Sequence, residues 1–327
     1  MSEEQASLVQ QLPRLMRALA DGGWTRADGS RRTGTPTTSV QVGVVDSDMG
    51  TGGYLLPTCA EENFGDDGIL RTRGNTAIAG CAASYPAFLS FAAGDDDAAF
   101  AADLTCVVVG VGTEGCGFEQ HLDSVLKALT PSTSSTTFAM GTRGHADVQN
   151  AGFARSDSVL GVIILADEDD CSAADGDIFD RTSARYMGDL NLRCSQFPEA
   201  LYSASRYVNG LTALRPGHPE RLVYGAIVGV PTDLVADSDA IDYSAVLSDP
   251  RMQQAADPSM PSRLMPSCNT PGRGLAFPPV RMTQVAQGLH AAGAHAVVQS
   301  ICQADFTSAM DAILDRIFDA LDGGCTG

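Results

Sequence analysis

Two uninterrupted apolar runs constrain this chain more than any other feature. Val159-Leu160-Gly161-Val162-Ile163-Ile164-Leu165 and Leu222-Val223-Tyr224-Gly225-Ala226-Ile227-Val228-Gly229-Val230 lack the polar alternation of a strand with one wet face. Short runs of this kind predict strands of a parallel sheet covered by helices on both sides. Parallel neighbours need long crossovers, and helical patterns over Phe118–Leu129, Ala200–Leu214, Val280–His290 and Phe306–Leu321 supply them. Further strands are expected at Val40–Asp46 and Ala296–Ile301. The fold class predicted is α/β: a doubly wound, mostly parallel sheet in one domain over residues 1–322. Loop insertions are expected at about 49–67, 131–156, 171–199 and 232–279.

The remaining segments are read more locally. Leu8, Leu12, Leu15 and Leu19 recur at helical spacing from Gln5 to Ala20, with Pro13 placed either to kink that helix or to mark a late start. Residues 24–39, which include Trp24, read as a loop. Gly68–Arg73 is expected to return as an antiparallel edge strand, its arginines blunting the edge. Asp95, Asp96 and Asp97 look like the first turn of a helix carrying Phe100, Leu104 and Val108, although Val107–Val109 has strand propensity.

Charge excludes some partners. The chain has 21 basic and 40 acidic residues, a net charge of −19. That argues against nucleic acid and against anionic lipid, and it suits attraction of cations. No stretch is long and apolar enough to span a bilayer.

Nine cysteines occur, without a CxxC pair. Proximity in sequence couples Cys59 with Cys81, Cys106 with Cys116, Cys171 with Cys194, and Cys268 with Cys302, leaving Cys325 over. Such staples belong to oxidising compartments, so an exported protein is expected, in the periplasm, at the outer surface or outside the cell. Residues 1–20 carry spaced charges and resemble no export signal.

The first apolar run leads directly into a dense acid cluster, Asp167-Glu168-Asp169-Asp170. Ligands of open α/β sheets sit at the carboxyl ends of strands, which singles out Asp167; Glu168, Asp169 and Asp170 read as a solvated loop start. Asp46 and Asp48 end another strand and could support such a site. Asp66-Asp67 reads as a turn. The five histidines, His121, His145, His218, His290 and His295, show no metal-ligand spacing and read as surface or helix-face residues. No GxSxG elbow and no P-loop are present. An enzyme is therefore not expected.

The segments VQVGVVDSDMGTGG, GTEGCGFEQHLDSVLKAL, SVLGVIILADEDDCS, RLVYGAIVGVP and VVQSICQADFTSAMDAIL, taken in order, resemble a von Willebrand factor type A domain of a cysteine-rich bacterial cell-envelope branch. The resemblance implies a non-enzymatic adhesion or protein-interaction module of the exported or lipoprotein kind. It also implies a site for Mg²⁺, or Ca²⁺ or Mn²⁺, that takes a protein ligand through an acidic residue. Asp167 matches the aspartate after the fourth strand of the family. Thr113 is the nearest hydroxyl to the threonine position, where Cys116 stands instead. Asp46 is a lesser candidate.

The family's Asp-x-Ser-x-Ser loop is absent, and Met1-Ser2-Glu3-Glu4 resembles the helix start that comes directly after that loop. The resemblance therefore implies a first strand lost from between the 40–46 and 159–167 strands, weak or no Mg²⁺ binding by residues 1–327, and poor folding. Residues 323–327 are expected to begin a further C-terminal extension. The alternative is a disulfide-stapled structural surface protein with no functional metal site, which the cysteine at position 116 favours.

Overall fold

The computed structural model describes residues 1–61, 63–113, 115–271 and 274–323. Cys325 and the expected C-terminal extension lie outside the described residues, apart from Gly323. The chain opens with α1 (Ser2–Val9) and α2 (Leu12–Asp21), not one kinked helix. Pro13 has no N–H to give, so it falls in the first turn of α2, where that N–H would go unpaired in any case. Gly22 closes α2 with φ 71°, a conformation that costs glycine nothing.

Residues expected to form a loop then make a hairpin, β1 (Gly23–Thr25) with β2 (Arg31–Thr33). Its Trp24 is buried and stacks on Phe318, with ring centroids 4.9 Å apart. The tryptophan is therefore a core residue, which a Gly- and Arg-rich neighbourhood hid. β3 (Ser39–Val42) pairs antiparallel with β4 (Leu89–Ala92), not with Gly68–Arg73. That segment forms no ladder: Arg71 donates its amide to the Val44 carbonyl, Thr72 accepts the Tyr85 amide, and Arg73 bridges to Ser84. Helix wins over strand at α3 (Asp97–Val111), where the Asp96 side chain accepts the amides of Ala98 and Ala99.

α4 (His121–Leu129) leads through an irregular stretch to β5 (Leu160–Leu165). After it come α5 (Arg193–Gln196), α6 (Ala204–Thr212), β6 (Leu222–Val228) and α7 (Tyr243–Ser248). The 232–279 stretch also forms two hairpins: β7 (Ala256–Asp257) with β8 (Met260–Leu264), and β9 (Cys268–Thr270) with β10 (Gly274–Ala276). α8 (Val280–Ala291), β11 (His295–Ser300) and α9 (Thr307–Gly323) complete the chain.

The architecture is mixed α/β around a three-stranded parallel sheet in the order β11-β6-β5. All seven residues of β6 are buried. Tyr224, Ala226 and Val228 face one core with Leu126, Tyr207 and Val285, which come from α4, α6 and α8. Ile227 and Val297 face the opposite way, onto Ile313 and Ala309 of α9. A second core joins α2, α3, the β3–β4 pair and α9 through Met16, Phe91, Leu104 and Phe318. Along one face of α9, Asp311, Asp315 and Asp319 pair with Arg14, Arg26 and Arg32, so the N-terminal helices and hairpin are tied to the last helix by charge as well.

The disulfides correct half of the pairings expected from sequence. Cys171–Cys194 and Cys268–Cys302 form as expected, but the other four cysteines join as Cys59–Cys116 and Cys81–Cys106. The reason is local hydrogen bonding. Gly117 donates to the Thr58 carbonyl (2.9 Å), and Asn75 donates to the Cys106 carbonyl (3.1 Å), so each loop meets a different partner from its sequence neighbour. Among the described residues no helix is long and apolar enough to cross a membrane.

β5 has β6 on one edge and, among the described residues, no strand on the other. Its burial alternates, with Gly161 and Ile163 exposed, unlike that of β6.

Gly225 of β6 tests the packing of α9. A Cβ placed there would lie 2.8 Å from Ile313 Cγ1. Gly225→Ala is expected to destabilise the protein by about 1–3 kcal/mol through overpacking, read as a lowered urea midpoint with an unchanged slope; Ile313→Val in the same chain should recover part of the loss.

Candidate functional site

The carboxyl end of the parallel sheet is built by three loops that hydrogen-bond to one another. Gln120 donates its amide to the Ser47 carbonyl (2.9 Å) and its side chain to the Gly50 carbonyl (2.9 Å). Cys171 donates to the Glu119 carbonyl (2.7 Å), and the Phe277 amide reaches the Asp167 carbonyl (2.8 Å). The segments 46–50, 119–121 and 167–173 therefore converge, although they are far apart in sequence.

The acidic run does three separate jobs. Asp170 is buried, accepts the Leu122 amide (2.8 Å) at the start of α4, and pairs with Arg281 (3.1 Å). Asp169 accepts the Arg281 amide (3.1 Å) at the start of α8. Burial pushes the Asp169 carboxyl up to about 6, with Arg281 opposing the shift. These two were expected to be solvated; instead they hold the amino ends of two helices, where exposed N–H groups attract anions. Glu168 is exposed at the rim.

Asp167 points elsewhere. Its Oδ2 lies 3.3 Å from the Met1 amino nitrogen, and Glu4 Oε2 lies 2.8 Å from the same nitrogen. Burial works against that ammonium, but the pairing with Glu4 and the Asp167 charge outweigh it and raise its pKa. A cationic group thus already rests against the carboxylate that sequence reasoning singled out.

Beside it, Met1, Asp46, Asp48, Thr113, Glu119 and His121 border the polar end of a cavity of about 500 Å³. Asp167 is not in that lining but touches it through Met1. Asp46 lies 3.5 Å from Arg71, and burial raises its carboxyl pKa despite that arginine. Asp48 is buried and accepts the Gly50 amide (2.9 Å), so it shapes a turn. Thr113 is exposed, and the Cys116 sulfur is bonded to Cys59.

Sequence reasoning passed over Glu119 and His121. Glu119 Oε2 lies 3.3 Å from His121 Nε2. Neither that oxygen nor His121 Nδ1, both buried, makes a hydrogen bond among the described residues. Burial pushes the Glu119 carboxyl up to about 7, and the Asp167 charge adds to the shift. Burial lowers the His121 pKa, so the imidazole resists protonation despite the acids around it. The signal available in sequence was only position: both residues directly precede or begin a helix whose partner strand ends in acids. His145 is also buried, not superficial. Its Nε2 lies 2.8 Å from Asp67, which also takes the fully buried ammonium of Lys127. Asp67 is thus more than a turn residue: burial would raise its pKa, but these two partners hold it below the usual range.

The class of protein this defines is a mixed α/β fold with a parallel sheet and four disulfide staples, a chemistry that fits an oxidising compartment. No family model, curated protein or solved structure matches the chain.

Glu119 predicts a pH dependence. Its pKa is higher in the folded protein than in the unfolded chain, so the protonated form favours folding, and this contribution is complete below about pH 4.5. It is lost as pH rises towards 7. At about 1.4 kcal/mol per pK unit, ionising Glu119 costs on the order of 3 kcal/mol. Glu119→Gln is expected to flatten the fall in urea midpoint between pH 5 and 8; a variant with the same slope as the parent would remove Glu119 as the cause.

Proposed function

We propose that this chain is the body of an exported, non-enzymatic interaction module of the von Willebrand factor A type. In a longer form of the chain, its hold on a protein ligand depends on a divalent cation. The observation that supports this is the place of Asp167: directly after β5, on the carboxyl side of a parallel sheet, and close enough to Glu119 for its charge to raise the Glu119 pKa. Crevices at that edge are where open α/β sheets take ligands. On this reading the three parallel strands are part of a larger doubly wound sheet.

A bound Mg²⁺, Ca²⁺ or Mn²⁺ would supply hard-cation chemistry, accepting an acidic side chain of the partner. Asp167 would be one ligand. Among the described residues no three His, Cys, Asp or Glu side chains gather to hold an ion. Thr113 is exposed, Cys116 is in a disulfide, and Asp46 faces Arg71. That deficit favours a second reading, a disulfide-stapled structural protein of the cell surface with no metal site. The Cys59–Cys116 bond is the specific observation behind it.

Calorimetric titration separates the two. Residues 1–327 are expected to take up Mg²⁺ weakly or not at all. A form carrying upstream residues is expected to bind at least tenfold more tightly, and Asp167→Ala in that form should remove the gain while far-ultraviolet circular dichroism stays unchanged. Equal and negligible uptake by both forms would leave the structural reading in place of the first.

A further inference from the structure

Lys127 is the one lysine in the chain; the other 20 of its 21 basic residues are arginines. It stands in the last turn of α4, and its side chain is wholly buried. Lysine is almost never buried so completely unless a partner holds it. The partner is the Asp67 carboxyl, whose Oδ1 accepts from Nζ, with Thr142 Oγ1 as a second acceptor (2.8 Å). Around them the Phe138 and Phe64 rings lie 5.6 and 5.9 Å from Nζ. A purely structural ion pair would favour arginine, which grips a carboxylate with two parallel bonds. What lysine offers and arginine does not is an amine that can lose its proton and act as a nucleophile.

The other carboxyl oxygen faces an imidazole. Asp67 Oδ2 lies 2.8 Å from His145 Nε2, while His145 Nδ1 lies 2.7 Å from Gln149 Oε1. With Nδ1–H donated to that amide oxygen, the contact between Nε2 and Oδ2 needs a proton of its own. Amine, carboxyl and imidazole come from three segments, and backbone contacts fix all three. The His145 amide donates to the Lys127 carbonyl (3.0 Å). The Asn150 side chain donates to the carbonyls of Gly68 (3.0 Å) and Ala128 (3.1 Å) and accepts the Leu70 amide (3.0 Å). Gly68 sits so close to α4 that a Cβ there would lie 2.7 Å from the Ser124 carbonyl oxygen. Groups held in this way are arranged for reaction as well as for pairing.

We propose that Lys127 and Asp67 become joined by an amide bond between Nζ and Cγ, formed within the folded chain, with His145 as the proton donor to the departing oxygen. The reacting form differs from the ion pair by one proton, moved from Nζ to Oδ1 along the hydrogen bond between them, and a dry aromatic site favours that neutral pair. Nζ then attacks Cγ. One N–C bond forms, the C–O bond to Oδ2 breaks, and Oδ2 leaves as water. The ammonium goes from three N–H bonds to one, and its two lost protons balance those on the water: His145 gives a proton to Oδ2 and takes one back. No oxidant, reductant or further reactant enters. Asp67 keeps 18% of its side chain exposed, which gives the water a way out. The link closes a loop across 60 positions and ties the 66–70 turn to α4 as a disulfide would, but reduction does not open it.

The experiment is mass spectrometry of the purified 327-residue chain after full reduction and alkylation of its cysteines. The intact chain is expected to be lighter than its sequence by one water. After trypsin, segment 33–71 is expected to remain joined to segment 74–143 through Asp67 and Lys127, with no cut after Lys127. Lys127→Arg and Asp67→Ala are expected to show the full mass of their sequences, and His145→Phe to hold at least tenfold less of the link after the same time. If these variants do not fold, the peptide map of the parent decides alone. The proposal is overturned by a parent chain of full mass that trypsin cuts after Lys127. It is overturned too by a water loss confined to ring closure at Asp67-Gly68, which leaves the two segments separate after reduction. An equal yield of link in His145→Phe overturns the role given to His145.

Discussion

The parallel pairing of β5 with β6 carries the rest of the molecule. Leu160 faces Leu222 and Leu165 faces Ile227 across this ladder, and all seven residues of β6 are buried. Because β6 is covered by α8 on one side and α9 on the other, fixing β5 against it fixes the height at which the chain turns at Ala166. Everything at the carboxyl end of the sheet is measured from that turn. One residue of slip would send Val162 and Ile164 to the opposite face and would carry the acidic run away from α4 and α8.

From that turn the four acids diverge because their surroundings differ. Asp169 and Asp170 meet helix amino ends and Arg281, and are structural. Asp167 meets the Met1 ammonium, and Glu168 meets solvent. Glu119 comes from another loop and ends next to them with a buried oxygen that accepts no hydrogen bond among the described residues. Burial, with the Asp167 charge adding to it, raises the Glu119 carboxyl pKa to about 7. The crevice gathers acidic groups, which is the physical content of the first reading of function.

The open edge of β5 and the acidic crevice are two ends of one feature. The cavity is apolar along the strand and becomes charged where the strand stops. Its far wall, the segment beyond β3, is held in place from behind by the Arg71 amide on Val44 and by Ser124 on the Asp46 carbonyl. That wall is thus supported from outside the cavity, as β5 is by β6.

Local pattern alone determined a good deal. The two apolar runs became β5 and β6, Asp96 became the cap of α3, Pro13 marked a helix break, and all eight cysteines proposed for disulfides are bonded. These follow from forces acting over a few residues: backbone sterics, capping and strand burial. Partner choice did not follow. Cys59 found Cys116 in place of Cys81, β3 found Leu89–Ala92 in place of Gly68–Arg73, Trp24 found Phe318, and Glu119 found the Asp167 crevice. Each of those contacts joins segments brought together only when the helices close on the sheet, and no periodicity in either segment encodes where the other will be.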